Sequence, residues 1–439
     1  LYGCGDLASG LAFNTLNFFY LYFLNTIVGM PGYLAGAVLL IGRVWDAFMD
    51  PVMGMVIDGT TSKLGKHRFW MLVSIGPFAI TFFLLWTTFT GPPWMQCMLY
   101  SFLFMVFSTA FTMYNVPFGS MTTDLTHDYN ERTSVTGIRM VFSLIAMIIG
   151  SGLTQLIAGK SPGGFRRAAA LYSAIMLGAG LTAFRATKGR DRVVKTSHGI
   201  HWGIWLQALR NKPFMILLTS YFFLTIATTG VSGVFIYYVK YSLQIHSDFQ
   251  ASVIMGIVVV SAIAALPAWG AISKKSGKKS ALFSGMAVFL IGIVFIAHFG
   301  KSLGASFFFA FIIFTGFGLS SFFIILWSMV PDVVEYGQIE SGKRSEGIYY
   351  GLWFFAQKLG MGISAALSGI VLSLTEFKRP IGEAYVNQTP KAISGLGFLL
   401  AGLPSVFIIL GLFVLFFYPI NQNRHAQIRE KLKLLETIQ

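Results

Sequence analysis

Charge is what this chain has least of. Asp, Glu, Lys and Arg make up 11% of its 439 residues, against 55% hydrophobic and 16% aromatic residues. Soluble domains carry roughly 25% charged residues, so a water-exposed globular surface is excluded. Cysteine is scarce too. Cys4 and Cys97 are the two in the chain, both in or beside apolar segments, which excludes a disulfide framework or a cysteine-rich metal site. Also missing are a GxxxxGK[ST] phosphate loop, an HExxH pair and a credible Ser–His–Asp set, so neither an enzyme nor an ATP-driven machine is indicated. His201, His246 and His298 fall in loops or near the ends of apolar runs, with no ligand spacing. The alternation of apolar and polar positions that marks a transmembrane barrel is absent.

What the chain does have is long apolar runs. A bilayer span needs roughly 20 mostly apolar residues. Twelve such runs occur, at about 7–29, 32–56, 69–90, 94–117, 137–159, 169–187, 213–239, 249–272, 280–299, 302–330, 346–373 and 392–418. The fold class is therefore an all-α polytopic membrane protein whose partner is the lipid bilayer. The first run is followed by others of similar length, so it reads as a span and not a cleavable signal. The chain opens with Leu1 and not Met, which predicts a few further residues ahead of it.

The net charge of +15 invites a nucleic-acid reading, but the placement of the charges argues against one. With both termini cytoplasmic, 21 Lys or Arg fall in the inner loops and tail and eight in the outer loops. Arg43, Arg139 and Lys358 lie inside runs. This is the positive-inside bias, and it gives the orientation. A bacterial cytoplasmic (inner) membrane is the expected location, with no nucleic-acid partner and a monomer as the working unit.

The longest charged interruption, 188–212, reads as a cytoplasmic linker between two six-helix bundles, 1–187 and 213–418. The tail 419–439 reads as a cytoplasmic amphipathic segment. An internal repeat supports the division. GMVIDGTTSKLGKHR (54–68) follows the second run and GAISKKSGKK (270–279) follows the eighth, each passing through a polar turn to a Gly and basic residues. Two ordinary basic loops would give either one alone, but the matched places favour repetition. The pattern resembles the major facilitator superfamily, which implies substrate held near the midplane between two such halves.

Charges within a span cost at least roughly 2.5–3.5 kcal/mol each, so those that occur are candidates for function. The stretch GRVWDAFMDPVMG (42–54) in the second run holds three. Asp46 and Asp50 are one turn apart on one helical face, and Arg43 lies three residues before Asp46. Two such carboxylates suit a shared proton or a monovalent cation. The alternative is a structural Arg–Asp network, but Arg43 compensates only one of the pair. In the fourth run, Thr112 and Asn115 share a face, and Pro117 frees the carbonyl of residue 113. Such oxygens complete a cation site, or glue helices together. Arg139 and Lys358 are the other cations within runs, suited to hydrogen-bonding sugar hydroxyls or holding an anionic group. Snorkelling is the alternative for each, and it is weak for Lys358, which lies deep in its run. Asp6, Gly10, Asn14 and Asn17, with Tyr20 and Tyr22 beyond, give the first run a polar stripe. That stripe suits a substrate cavity, and Asp6 suits a helix cap equally well. Trp327, Tyr349, Tyr350 and Trp353 are aromatics able to stack on a sugar ring or to pack.

On GRVWDAFMDPVMG, the opening YGCGD, the loop KLGKHRFW, the run NVPFGS and GKRSEGIYYGLWFFAQK, the chain resembles the glycoside–pentoside–hexuronide:cation symporter family over nearly its whole length. The first of these is similar to the family's R-x-x-D-A-x-x-D-P-x-x-G signature. The resemblance implies cation-coupled symport of a sugar or glycoside by alternating access, with H⁺ or Na⁺ as coupling ion and no cofactor. It implies that Asp46 and Asp50 bind the cation (the metal ligands where the ion is Na⁺), with Thr112 and Asn115 nearby. Arg139 would bind sugar with Asp6, Gly10, Asn14, Asn17 and Trp353, and Lys358, with Arg43, would link the two sites. The melibiose permease-like pattern has an aspartate in the first helix where this chain has Gly10, and another in the fourth where it has Asn115. Fewer carboxylates beside Arg139 and Lys358 favour an anionic sugar, a hexuronide or a sulfonated sugar, and slightly favour H⁺ over Na⁺. A lysophospholipid-carrying branch shares the R-x-x-D-A-x-x-D-P signature and is the alternative within the fold. An ion channel is the alternative outside it.

Overall fold

The computed structural model describes residues 1–125, 129–159, 161–189, 209–302, 305–341, 346–378, 386–422, 424–428 and 430–431. Most of the expected linker 188–212 and the tail beyond 431 lie outside these residues.

Among the described residues, twelve helices long and apolar enough to cross a membrane follow one another. They are α1 (Cys4–Ile27), α2 (Gly32–Ile57), α3 (Lys66–Leu85), α4 (Pro93–Met121), α5 (Gly137–Ala158), α6 (Pro162–Ala186), α7 (Lys212–Ser242), α8 (Asp248–Ser276), α9 (Lys278–Phe299), α10 (Phe307–Ile339), α11 (Ile348–Leu374) and α12 (Pro390–Phe416). Each overlaps one of the expected runs. The tenth departs most. The apolar run ends at residue 330, ahead of Pro331 and Asp332, yet the helix continues unbroken to Ser341. Proline removes a donor from the ladder and leaves a carbonyl to satisfy. Here Lys278 Nζ donates to the nearby Ser328 carbonyl at 2.7 Å and to both Asp332 oxygens at 2.7 and 2.8 Å, holding the helix across the proline from outside.

The internal repeat appears in the backbone. Gly65 ahead of α3 has φ 94° and ψ 159°, and Gly277 ahead of α9 has φ 82° and ψ 153°. Both are left-handed turns that favour glycine, and each is followed by a lysine opening the next helix.

The chain divides into two compact units. The first holds Leu1–Ser197, Ser232–Gly256 and Gly362–Leu396, and the second His198–Val231, Ile257–Met361 and Gly397–Gln439. The first unit takes in the end of α7, the start of α8, the later part of α11 and the start of α12 alongside α1–α6. Within the first unit, α1 lies against α5 and α6, and α4 against α2 and α3. Its core includes a fully buried aromatic stack, with Trp86 parallel to Phe165 at 5.6 Å and Tyr20 edge-on to Trp86 at 5.4 Å. In the second unit, α9 and α10 cross closely through small residues: Gly285 lies on Ser321, Gly292 on Thr315 and Gly318 on the Phe289 backbone. Small residues let membrane helices approach this way where no hydrophobic force separates helix from lipid.

Candidate functional site

The charged stretch of α2 folds as one continuous helix through Pro51. Its 3.6-residue turn puts Asp46 and Asp50 on one face, and α4 supplies the group that meets them. Thr112 Oγ1 lies 3.2 Å from Asp46 Oδ1 and 3.0 Å from Asp50 Oδ1. Asp46 is 2% exposed and Thr112 1%, while Asp50 is half-buried. A threonine hydroxyl carries one proton. It is shared between the two carboxylates, and protonation of either one or a cation between the oxygens strengthens the contact. Two carboxylates thus share one hydroxyl proton at the meeting of α2 and α4. Asn115 sits one turn on from Thr112, half-buried.

Arg43 compensates Asp46 loosely. Its Nη1 is 3.9 Å from Asp46 Oδ2, and its guanidinium lies over the Phe13 and Phe104 rings at 5.3 and 5.7 Å. Aromatic faces stabilise a desolvated cation without neutralising the carboxylates. Gly42 makes this possible: a Cβ there would sit 2.2 Å from the Phe104 ring. A second tie joins the two helices where Trp45 Nε1 donates to Thr109 Oγ1 at 3.0 Å. Neither Phe13 nor Phe104 was legible as a site residue, since aromatics at helical spacing are ordinarily core.

Arg139 of α5 is not a lone cation. Its Nε and Nη2 donate to Asp6 Oδ2 and Oδ1 at 2.6 and 3.0 Å, and its guanidinium lies 4.6 Å over the Phe118 ring. Tyr2 hydrogen-bonds the Phe118 carbonyl beside it. The expected excess of positive charge at Arg139 therefore does not hold, because Asp6 supplies the carboxylate that appeared to be missing from α1. Asp6 does more than cap its helix. Gly10 stands where α5 comes too close for a side chain, a Cβ being 2.6 Å from that of Ala146. Asn14 Nδ2 donates back to the Gly10 carbonyl at 2.8 Å, and Asn17 is half-buried on the same helix.

Lys358 and Trp353 belong to the second unit. Lys358 is buried at 8% exposure on α11. Trp353 is wholly enclosed, stacked on Tyr221 at 3.7 Å and edge-on to Trp327 at 6.1 Å. With its ring covered, Trp353 offers no face to a sugar in this conformation, contrary to expectation. Tyr349 is likewise occupied, packed edge-on to Phe214 and accepting from Asn211 Nδ2 at 3.0 Å. Among the described residues no three or more His, Cys, Asp or Glu side chains converge as a metal cluster.

Comparison with known proteins agrees with this architecture. The sequence profile described as MFS/sugar transport protein matches residues 1–422. The glucuronide carrier protein homolog of Escherichia coli (strain K12) is 27% identical, with 97% of this chain and 93% of that protein aligned. The sodium-dependent lysophosphatidylcholine symporter 1-A of Danio rerio is 25% identical over 96% and 85% of the two chains. The crystal structure of the nucleoside transporter NupG superposes with a TM-score of 0.67 at 14% identity, covering 95% of this chain and 98% of that one. At that identity the likeness carries the fold alone.

Proposed function

The chain belongs to the MFS/sugar transport protein family, and we propose that Asp46, Asp50 and Thr112 form the coupling-cation site of a sugar symporter. It is an integral membrane transporter of the major facilitator fold, not an enzyme. The observation that carries the cation site is the single Thr112 hydroxyl between two carboxylate oxygens, at 3.2 and 3.0 Å. Two carboxylates this close favour an added positive charge between them, which H⁺ supplies by protonating either one. Na⁺ supplies it by drawing the same oxygens inward with Asn115. Asn115, where the resembled pattern has a carboxylate, slightly favours H⁺.

Coupling requires that cation and substrate each bind better when the other is present. Neutralising the Asp46–Asp50 pair relieves the like-charge repulsion along one face of α2 and frees that helix to change its packing. The Arg139–Asp6 pair is our candidate contact for sugar hydroxyls, offering guanidinium donors and carboxylate acceptors together, and Lys358 is the candidate link from α11. An ion pair with no excess charge suits a neutral glycoside as well as an anionic one. The positive-inside distribution supports both termini on the cytoplasmic side of a bacterial cytoplasmic membrane.

The test is uptake into proteoliposomes of a neutral glycoside, a hexuronide and a lysophospholipid, with pH and Na⁺ gradients imposed separately. Accumulation of a sugar driven by the pH gradient is the expected result. Accumulation of the lysophospholipid alone would move the substrate to the lipid-carrying reading, and uptake indifferent to both gradients would remove the cation site.

A further inference from the structure

The ends of α1 and α7 repeat one another. Each finishes in a π-helical turn, Phe23–Ile27 in α1 and Tyr238–Ser242 in α7. In α1, Val28 N donates to the Phe23 carbonyl and Met30 N to that of Leu24, both at 2.9 Å. In α7, Leu243 N donates to Tyr238 at 3.0 Å and Ile245 N to Val239 at 3.2 Å. A left-handed residue stands between the two donors in both helices, Gly29 at φ 81° and Gln244 at φ 59°. A side chain resists that conformation, so the turn at Gln244 is held by what surrounds it.

This register pairs Tyr22 with Tyr237 and Asn25 with Lys240, and the contacts cross over. Lys240 Nζ donates to the Tyr22 hydroxyl at 3.3 Å. Tyr237 donates to Asn25 Oδ1 at 3.3 Å and lies 3.1 Å from the Leu21 carbonyl. The two tyrosine rings meet edge-on at 5.1 Å. Each tyrosine thus reaches the polar residue one turn along the other helix, which is the reciprocal pattern of a two-fold interface made within one chain. Lys240 is 4% exposed and lies 3.3 Å from Asp248 Oδ1, which also accepts from Gln155 Nε2 at 2.7 Å. Beside this cluster α2 and α11 touch backbone to backbone. A Cβ on Gly32 would lie 2.6 Å from the Gly369 carbonyl, and one on Gly36 would lie 2.8 Å from that of Ala365. All of these residues belong to the first compact unit, where they tie α1, α2 and α5 to α7, α8 and α11.

We propose that the Tyr22–Lys240 and Tyr237–Asn25 clasp is the latch of a gate at the non-cytoplasmic end, closed in this structure, which parts when the transporter opens outward. The assignment of a gate rests on the transport reading above. A buried, paired ammonium is a poor permanent adhesive, because its desolvation offsets most of what the pairing contributes. It makes a good reversible seal, since opening returns the charges to water where closing returns them to one another. The glycine seam has the same property: two bare backbones part without repacking side chains. The seam also lies on the helix that carries the cation site. Gly36 and Asp46 are ten residues apart on α2, about 15 Å along its axis. At Gly362, α11 approaches Arg43 itself, a Cβ there lying 3.2 Å from the Arg43 Cβ.

The test uses the full-length protein purified in detergent, with Cys4→Ser and Cys97→Ala removing the native thiols and a reporter cysteine at Thr26, which is buried at 4% exposure beside the clasp. Maleimide labelling of Thr26→Cys is expected to be slow in this parent. It is expected to be at least tenfold faster when Tyr22→Phe and Tyr237→Phe are combined, and again with Lys240→Met. The paired phenylalanine variant removes two oxygens and no bulk, so it decides the matter where Lys240→Met fails to elute as a single monodisperse species. Equal labelling rates in parent and clasp variants, or fast labelling already in the parent, would overturn the latch. The readout needs neither sugar nor cation, so a parent that shows no uptake would count against the transport reading and leave the labelling result standing.

Discussion

Asp6 and Arg139, 133 residues apart in sequence, are joined by two parallel hydrogen bonds of 2.6 and 3.0 Å. Fork-on-carboxylate geometry of this kind is stronger and more directional than a point-charge contact. Asp6→Asn alone leaves the guanidinium without its counter-charge, at a cost of roughly 2 kcal/mol for a hydrogen bond to a charged group. We predict that Asp6→Asn and Arg139→Gln each lower the thermal midpoint, and that the double variant regains part of the loss. Thermal unfolding in detergent measures this, and additive losses would show that the two residues do not act as a pair.

Thr112 is predicted to matter through its hydroxyl and not its bulk. Thr112→Ser keeps the contact with both aspartates, while Thr112→Val keeps the shape and removes the proton donor. Losing a hydrogen bond to a charged group costs roughly 1.5–3 kcal/mol, equivalent to about tenfold to a hundredfold in cation affinity. The cation concentration giving half-maximal uptake should rise by that factor in Thr112→Val and stay near the parent value in Thr112→Ser.

Gly42 is predicted to be required by Phe104. A methyl group at Gly42 would fall 2.2 Å from the Phe104 ring, which is also one of the aromatic faces under Arg43. Overpacking of this kind costs typically 1–3 kcal/mol. Gly42→Ala should therefore lower both the thermal midpoint and gradient-driven uptake, and Phe104→Leu added to it should recover stability. Recovery of stability without uptake would locate the defect in the lost aromatic face and not in the clash.

The end of α10 is predicted to depend on Lys278. Its ammonium bonds the Ser328 carbonyl and Asp332 on either side of Pro331. In Lys278→Met, amide exchange should quicken over residues 332–341 and stay unchanged over 307–327. Uniform protection along the whole helix would contradict the account.

The parts of this molecule that sequence made legible are those set by local chemistry. Twelve spans followed from length and hydropathy, and the face shared by Asp46 and Asp50 followed from a four-residue spacing. What escaped depends on partners far along the chain. Asp6 looked as much like a cap as a site residue because nothing local points to Arg139. Gly10 looked like a missing carboxylate, whereas Ala146 of α5 comes too close there for any side chain. Trp353 is suited to stack on a sugar ring or to pack, and its packing partner Tyr221 lies 132 residues earlier in the chain. The helix beyond Pro331 escaped because its support comes from Lys278, 53 residues earlier in the chain. The matched π turns of α1 and α7 escaped because Gly29 and Gln244 share a conformation and not a residue type.

The cation site stands or falls on sugar accumulation in proteoliposomes by the parent and by Asp46→Asn/Asp50→Asn, under an imposed cation gradient and in counterflow. The parent is expected to concentrate sugar against its gradient, while the double variant does not concentrate it and retains exchange. Full gradient-driven accumulation by the double variant would contradict the cation site.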